Sequence, residues 1–178
     1  ACALTSRLLV PINWRLAAPE VAYILKDCDA ELLFVDEAFL DLVLSVKDDC
    51  PALKDIKLIE GKHPECENLS DWRDRHSPEG LPSDRAEPGD VLVQLFTSGT
   101  TGFPKGALLT HQSLLAAIAK GKLVNQPWSE WDETDVSLMA MPCFHVGGTV
   151  WGFQSLCNGA TCVILDKPDI AQIIETIA

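Results

Sequence analysis

The chain has 178 residues, 47% of them hydrophobic and 22% charged, with a formal net charge of −12 at pH 7. That size allows a genuine core, burying roughly 70% of the unfolded surface, and the composition is that of a soluble globular protein. The acidity argues against nucleic acid or an anionic membrane as partner, since both need clustered cations, and no apolar run reaches the ~18 residues that span a bilayer.

In chain order, Ala1 to Arg7 lacks the charged and apolar regions of a signal peptide and has no initiator methionine, so the chain reads as a cut or processed piece. Pro19 to Asp27 places Val21, Ile24 and Leu25 at i, i+3, i+4, which predicts a helix with Pro19 in its first turn. Glu31 to Val35 predicts a buried strand. Glu37 to Val46 predicts a second helix with Phe39, Leu40, Val43 and Leu44 along one side, and Ile56 to Ile59 another strand. Residues 60–90, punctuated by Gly61, Pro64, Pro78, Gly80, Pro82, Pro88 and Gly89, predict a long loop or linker that Trp72 docks to the body. Order resumes with a strand at 91–97, a Ser/Thr/Gly-rich loop and a short strand at Ala107–Leu109. A helix capped by Thr110 follows, its face read as Leu115, Ile118, Ala119 and Leu123 with the Lys122 stem alongside. Val136 to Met141 predicts a strand, Gly148 to Cys157 a helix ended by Gly159, Ala160 to Leu165 a strand, and Asp169 to Ile177 a last amphipathic helix. Repeated strand–helix alternation predicts an α/β fold with at least partly parallel sheets.

The most informative stretch is Thr97-Ser98-Gly99-Thr100-Thr101-Gly102-Phe103-Pro104-Lys105-Gly106. Its glycines permit positive φ and close main-chain approach to a ligand, and successive N–H groups in such a turn form an anion-binding concavity. Four hydroxyls add donors, and Lys105 adds a point charge suited to phosphate. The chemistry that wants this set is the grip on a polyphosphate. It is not a Walker A loop, because Pro104 stands at the second glycine position and Gly106 follows Lys105. A solvated turn between strands is the plainer reading of the same residues. Residues 91–178 carry 4 basic and 7 acidic side chains against 10 and 19 in residues 1–90, so the half with this loop suits an anionic ligand better.

Met141-Pro142-Cys143-Phe144-His145-Val146-Gly147-Gly148 sets a histidine at the end of a strand, able to meet a ligand edge-on or donate to a carboxylate, with glycines that leave room for something to enter. A core histidine satisfied by backbone is the alternative. Asp132, Glu133 and Asp135 read as a solvated acidic turn rather than metal ligands, and His111 as the start of a helix with no catalytic part. The seven cysteines contain no Cys-x-x-Cys pair and read as free thiols in a reducing cytoplasm.

Leu95 to Gly106, followed by Thr110-His111, resembles the AMP-binding signature of the adenylate-forming superfamily: acyl- and aryl-CoA ligases, peptide-synthetase adenylation domains and beetle luciferases. Pro11-Ile12-Asn13-Trp14-Arg15-Leu16, leading into Pro19 to Leu25, is similar to a turn-and-helix segment of acyl-CoA ligases in which Asn13 and Arg15 would be structural. Thr100 and the pair Phe144-His145 resemble the ligases of fatty or aryl acids, although Cys143 stands where a larger aliphatic residue or methionine is usual. The resemblance implies an AMP-forming acyl-CoA synthetase. A carboxylate attacks the α-phosphate of MgATP to give acyl-adenylate and pyrophosphate, and CoA then takes the acyl group. It assigns Thr97, Ser98, Gly99, Thr100, Thr101, Gly102 and Lys105 to the ATP phosphates and His145 to the carboxylate. Trp151 is the wall of an acyl pocket, or else an ordinary core aromatic. ATP, Mg2+ and CoA are the implied cofactor and co-substrates, with the magnesium ligands mostly outside the chain and the location cytoplasmic. The later motifs of the superfamily and its C-terminal domain have no counterpart here. Residues 1–178 are thus implied to be an internal part of the large N-terminal domain, inactive alone. A non-catalytic nucleotide-binding module and an inert structural fragment are the rival readings.

Overall fold

The computed structural model describes residues 2–77, 86–97, 102–123, 130–165 and 169–177. The chain divides into two compact units, Ile12–Ser83 and Ala1–Pro11 with Asp84–Ala178.

The first unit is a small parallel α/β layer. Helix α1 (Ala18–Asp27) starts where Pro19 fixes φ and the Glu20 carboxylate accepts from the Ala17 N–H at 2.9 Å; it buries Val21, Ala22, Ile24 and Leu25. Strand β1 (Leu32–Val35) leads into α2 (Glu37–Val46), whose N-cap Asp36 accepts from the Ala38 N–H at 2.9 Å. The buried face of α2 is Leu40, Val43 and Val46, with Phe39 and Leu44 half-buried at its edges. Strand β2 (Asp55–Leu58) pairs parallel to β1 in the register Leu32–Asp55 to Val35–Leu58. The stretch expected to be loop departs from that reading. It holds β3 (Glu67–Asn68), parallel to β2, and α3 (Leu69–Asp74), capped by the Asn68 side chain accepting from the Ser70 N–H at 2.8 Å. A two-residue strand carries no periodicity of its own and is held by β2. Trp72 does dock this segment, its ring edge-on to Phe34 at 6.1 Å. Lys57, 4% exposed, meets Asp55 at 2.6 Å and Glu67 at 3.0 Å beneath it.

The second unit contains an antiparallel pair, β4 (Val91–Thr97) with β5 (Lys105–Thr110), and a parallel pair, β6 (Val136–Met139) with β7 (Thr161–Ile164). Leu9 adds a short parallel rung to β4, donating to the Leu92 carbonyl at 2.9 Å and accepting from the Gln94 N–H at 3.0 Å. Helix α4 (His111–Leu123) follows β5 directly, and Thr110 caps it by accepting from the Ser113 N–H at 3.1 Å. The face of α4 differs from expectation: Leu114 is buried and Ile118 half-buried, whereas Leu115 and Leu123 are exposed. The Lys122 side chain lies outside the described residues. Helix α5 (Val146–Asn158) crosses from β6 to β7 and ends at Gly159, φ +70°, the left-handed residue its C-terminus requires. A buried hydrogen bond, Ser137 Oγ to Ser155 Oγ at 2.8 Å, ties α5 to β6. Helix α6 (Ile170–Ile177) closes the described chain. The α/β class with parallel sheets is thus what the fold shows, with one antiparallel hairpin set into it.

Candidate functional site

The polyphosphate-like loop joins the two strands of a hairpin. Thr97 lies opposite Lys105 and Phe96 opposite Gly106. This departs from the expected geometry: Lys105 belongs to a strand, and the strand predicted at 107–109 runs from Lys105 to Thr110. Ser98, Gly99, Thr100 and Thr101 lie outside the described residues. Of the remaining loop candidates, Thr97 and Lys105 are exposed at the hairpin mouth, and the Thr97 hydroxyl donates to the Lys105 carbonyl at 3.4 Å. Among the described residues the Lys105 ammonium has no ion-pair partner.

Two of the loop's glycines are favoured for different reasons. Gly102 has φ +121° with open space around it, so its backbone alone excludes a side chain. Gly106 is a packing glycine. A Cβ there would lie 2.1 Å from Gln94 Nε2 and 2.9 Å from its Cδ. Gln94, 7% exposed, was not singled out from the sequence, although it is the one polar residue within the run Val91 to Phe96.

The start of α4 beside this hairpin is already satisfied. The Asp90 carbonyl accepts from the His111 N–H at 3.0 Å, the Pro88 carbonyl from the Gln112 N–H at 2.8 Å, and Thr110 takes the Ser113 N–H. The N–H groups that make a helix start attractive to anions are therefore spent. Asp90 itself is held by the Glu87 N–H and the Ser6 hydroxyl, both at 2.9 Å, which with nearby His111 keep its carboxyl below the usual range. His111 begins the helix as expected, with Nε2 buried and unpartnered among the described residues.

His145 is the N-cap of α5, in extended conformation with its imidazole exposed. The core-histidine alternative therefore does not hold. Its ring lies 4.8 Å from that of Phe144, and its N–H donates to the Pro142 carbonyl at 3.1 Å. The space beside Gly148 is filled by backbone rather than left for a ligand. A Cβ on Gly148 would lie 2.3 Å from the Pro142 carbonyl oxygen and 2.7 Å from that of Met141, and one on Gly147 would lie 3.1 Å from Met141 Sδ. Gly148 lets α5 press onto the backbone of the preceding turn, and Gly147 lies against the Met141 side chain. Thr149, 6% exposed, adds a hydrogen bond of 2.6 Å from its hydroxyl to the Cys143 carbonyl. A threonine in an apolar helix offered no sequence signal for that role.

Trp151 is half-buried, its ring T-shaped to Trp131 at 4.7 Å and its Nε1 buried without a hydrogen-bond partner among the described residues. Asp132, Glu133 and Asp135 are exposed. The Thr134 hydroxyl and N–H both donate to Asp132, at 2.6 and 2.8 Å, and lower its carboxyl pKa. Among the described residues no group of three His, Cys, Asp or Glu side chains comes together to hold a metal ion.

One core carries both halves of the site. Val93 and Leu95 of β4, with Leu92, pack with Leu114 of α4 and with Val150 and Phe153 of α5. The strand that ends in the Thr97 hydroxyl and the helix capped by the exposed His145 are thereby parts of one packed body, with Lys105 beside Thr97 on β5.

A family model described as AMP-binding enzyme matches residues 1–178. The chain is 34% identical over 99% of its length to the fatty acid–[acyl-carrier-protein] ligase ScoC of Streptomyces coeruleorubidus, and 34% identical over 99% to the indoleacetate–CoA ligase of Aromatoleum aromaticum. It spans about a third of these relatives, 32% and 34% of their lengths. Among solved structures, the N-terminal domain of FACL13 from Mycobacterium tuberculosis superposes with a TM-score of 0.78 at 26% identity, covering 96% of this chain and 41% of that one. The anthranilate CoA ligase AuaEII with anthranoyl-AMP gives a TM-score of 0.79 at 27% identity, covering 94% and 32%. No helix among the described residues is long and apolar enough to cross a membrane.

Proposed function

The chain belongs to the AMP-binding enzyme family, and we propose that it is an internal portion of the large N-terminal domain of an AMP-forming acid–thiol ligase. In this reading the complete enzyme joins a fatty or aryl carboxylic acid to a thiol in two steps. A carboxylate oxygen attacks the α-phosphorus of ATP, the bond to the β-phosphate breaks, and pyrophosphate leaves. A thiol sulfur then attacks the acyl carbon of the adenylate, its proton passes to solvent or base, and AMP leaves. Neither step is a redox step.

The observation that carries the reading is the hairpin mouth, where Thr97 lies opposite Lys105, which has no ion-pair partner among the described residues, at the ends of a loop whose sequence is rich in hydroxyls and glycine. Lys105, the hydroxyls of Thr97, Ser98, Thr100 and Thr101, and the backbone at Gly99 and Gly102 hold the β- and γ-phosphates and stabilise the charge on the departing pyrophosphate. His145 borders the carboxylate, and Trp151 is part of the wall of the acyl pocket. Mg2+, when bound with ATP, supplies charge neutralisation on the phosphates; this chain's own contribution is the hydroxyl and ammonium set. CoA is the thiol in this reading. The likeness to an acyl-carrier-protein ligase favours a second one, in which a carrier-protein thiol takes its place. The free cysteines suit a reducing, cytoplasmic location.

The test is carboxylate-dependent ATP–pyrophosphate exchange by the complete enzyme over a panel of fatty and aryl acids, followed by thioester formation with CoA or carrier protein. Lys105→Ala should slow adenylation by about 10²–10³-fold, the cost of one lost donor at a developing charge, and pre-formed acyl-adenylate should rescue it. Equal impairment of both steps would remove Lys105 from the phosphates. The 178-residue chain alone should show no exchange above a blank. Exchange by that chain would overturn its being only part of the enzyme, and nucleotide binding without exchange by the complete protein would favour a binding module.

A further inference from the structure

We propose that Thr149 is a positioning residue that aims His145, a proposal that rests on His145 bordering the acid. A threonine hydroxyl in a helix ordinarily bonds back to the carbonyl three or four residues earlier. Here the His145 carbonyl, four residues back, accepts the Thr149 backbone N–H at 3.0 Å, and the hydroxyl reaches past it to the Cys143 carbonyl at 2.6 Å. One buried residue thus grips the chain on both sides of Phe144. Two further contacts close the same turn: the His145 N–H on the Pro142 carbonyl, and the Gly148 backbone pressed against Pro142 and Met141. The result is an exposed imidazole on a backbone with little freedom to turn. Precise aim matters most for a group that must meet a carboxylate edge-on, since a displacement of about 1 Å can cost on the order of a hundredfold in rate.

Thr149→Val keeps the β-branched shape and deletes the donor, whereas Thr149→Ser keeps the donor. Both are made in the 178-residue chain, followed by thermal melting and backbone ¹⁵N relaxation. They are also made in the complete enzyme, followed by apparent KM for acid and for ATP with octanoate and benzoate as probes. Thr149→Val should lower the order parameters of Phe144 and His145 from the rigid range of about 0.85 toward about 0.6 while β4 stays rigid. The KM for acid should rise about fivefold, the effect of one lost hydrogen bond, with the KM for ATP within about twofold. Thr149→Ser should match the parent throughout. Adding Thr149→Val to His145→Ala should worsen the KM for acid no further, because both act through one group. A lowered melting temperature with Phe144 and His145 still rigid would show a purely structural threonine and overturn the proposal. So would a serine variant as impaired as valine, or additive effects in the double variant. If His145→Ala leaves use of the acid unchanged while Thr149→Val still loosens the turn, the substrate role of His145 fails and the hold of Thr149 on the turn stands. The relaxation measurement needs no substrate, so it decides that hold even if neither probe acid is turned over.

Discussion

Gly148→Ala places a single methyl against backbone. The added Cβ would sit 2.3 Å from the Pro142 carbonyl oxygen and 2.7 Å from both the Pro142 carbonyl carbon and the Met141 carbonyl oxygen. Carbon atoms in contact sit roughly 3.5–4.0 Å from their neighbours, so α5 or the turn must retreat by about 1 Å. No flexible side chain is there to give way. Overpacking costs about 1–3 kcal/mol, and a backbone wall belongs at or above the top of that range. Alanine returns about 1 kcal/mol through helix propensity. The net loss is about 2 kcal/mol, or roughly 4–8 °C in melting temperature for a chain of this size. Gly89 is the control: nothing lies within 4 Å of its virtual Cβ and its φ is not positive, so Gly89→Ala should melt at or slightly above the parent. The assay is thermal and urea unfolding of both variants beside the parent chain. Equal melting of Gly148→Ala and Gly89→Ala would refute the packing account and reopen the space beside His145 to a ligand.

His145→Ala should leave melting within about 1–2 °C, because the imidazole is exposed and surface changes stay within about ±0.5 kcal/mol. In the complete enzyme it should weaken dependence on the acid and spare ATP, and a large fall in melting would show an interior role instead. For Lys57, burial pulls the pKa down but the hydrogen bonds and charges of Asp55 and Glu67 outweigh it, leaving it above the ordinary 10.5. A raised folded pKa gives stability that is complete below the unfolded value and is lost as pH rises through the folded one. Lys57→Met should therefore cost about 1–3 kcal/mol at neutral pH, moderated because both carboxylates keep some solvent. The gap to wild type should narrow in urea titrations above about pH 10.5; a gap independent of pH would sink the ion-pair account.

Much of the fold was legible because its signals are local. Helix and strand periods placed α1, α2, α5, β1 and β4 to within a residue or two, and two terminal residues behaved as their chemistry requires: Thr110 as an N-cap, Gly159 as the left-handed stop. The face of α4 was not legible. Ala116, Ala117, Ala119 and Gly121 give its sides little contrast, and Leu114 and Leu115 are equally apolar, so contact with Val93 and Leu95 chose Leu114. The strand and helix between Glu67 and Asp74 escaped because β3 exists only through its pairing with β2. The candidate site divides in the same way. Its residue types, hydroxyls, glycines, Lys105 and His145, were visible as a motif, but their supports were not.

By itself the sequence determined most of the helix and strand segments outside Glu67–Asp74, the end residues Thr110 and Gly159, and the chemical character of the loop and of the Phe144-His145 pair, since each depends on bonds and periods spanning a few residues. Only the tertiary structure decided that the loop closes an antiparallel hairpin, that Gly106 yields to Gln94, that Gly148 admits the Met141–Pro142 backbone and that Thr149 holds the turn before His145. Those outcomes depend on which surfaces meet once the elements pack, and a glycine or a threonine in the chain carries no mark of the neighbour it will face.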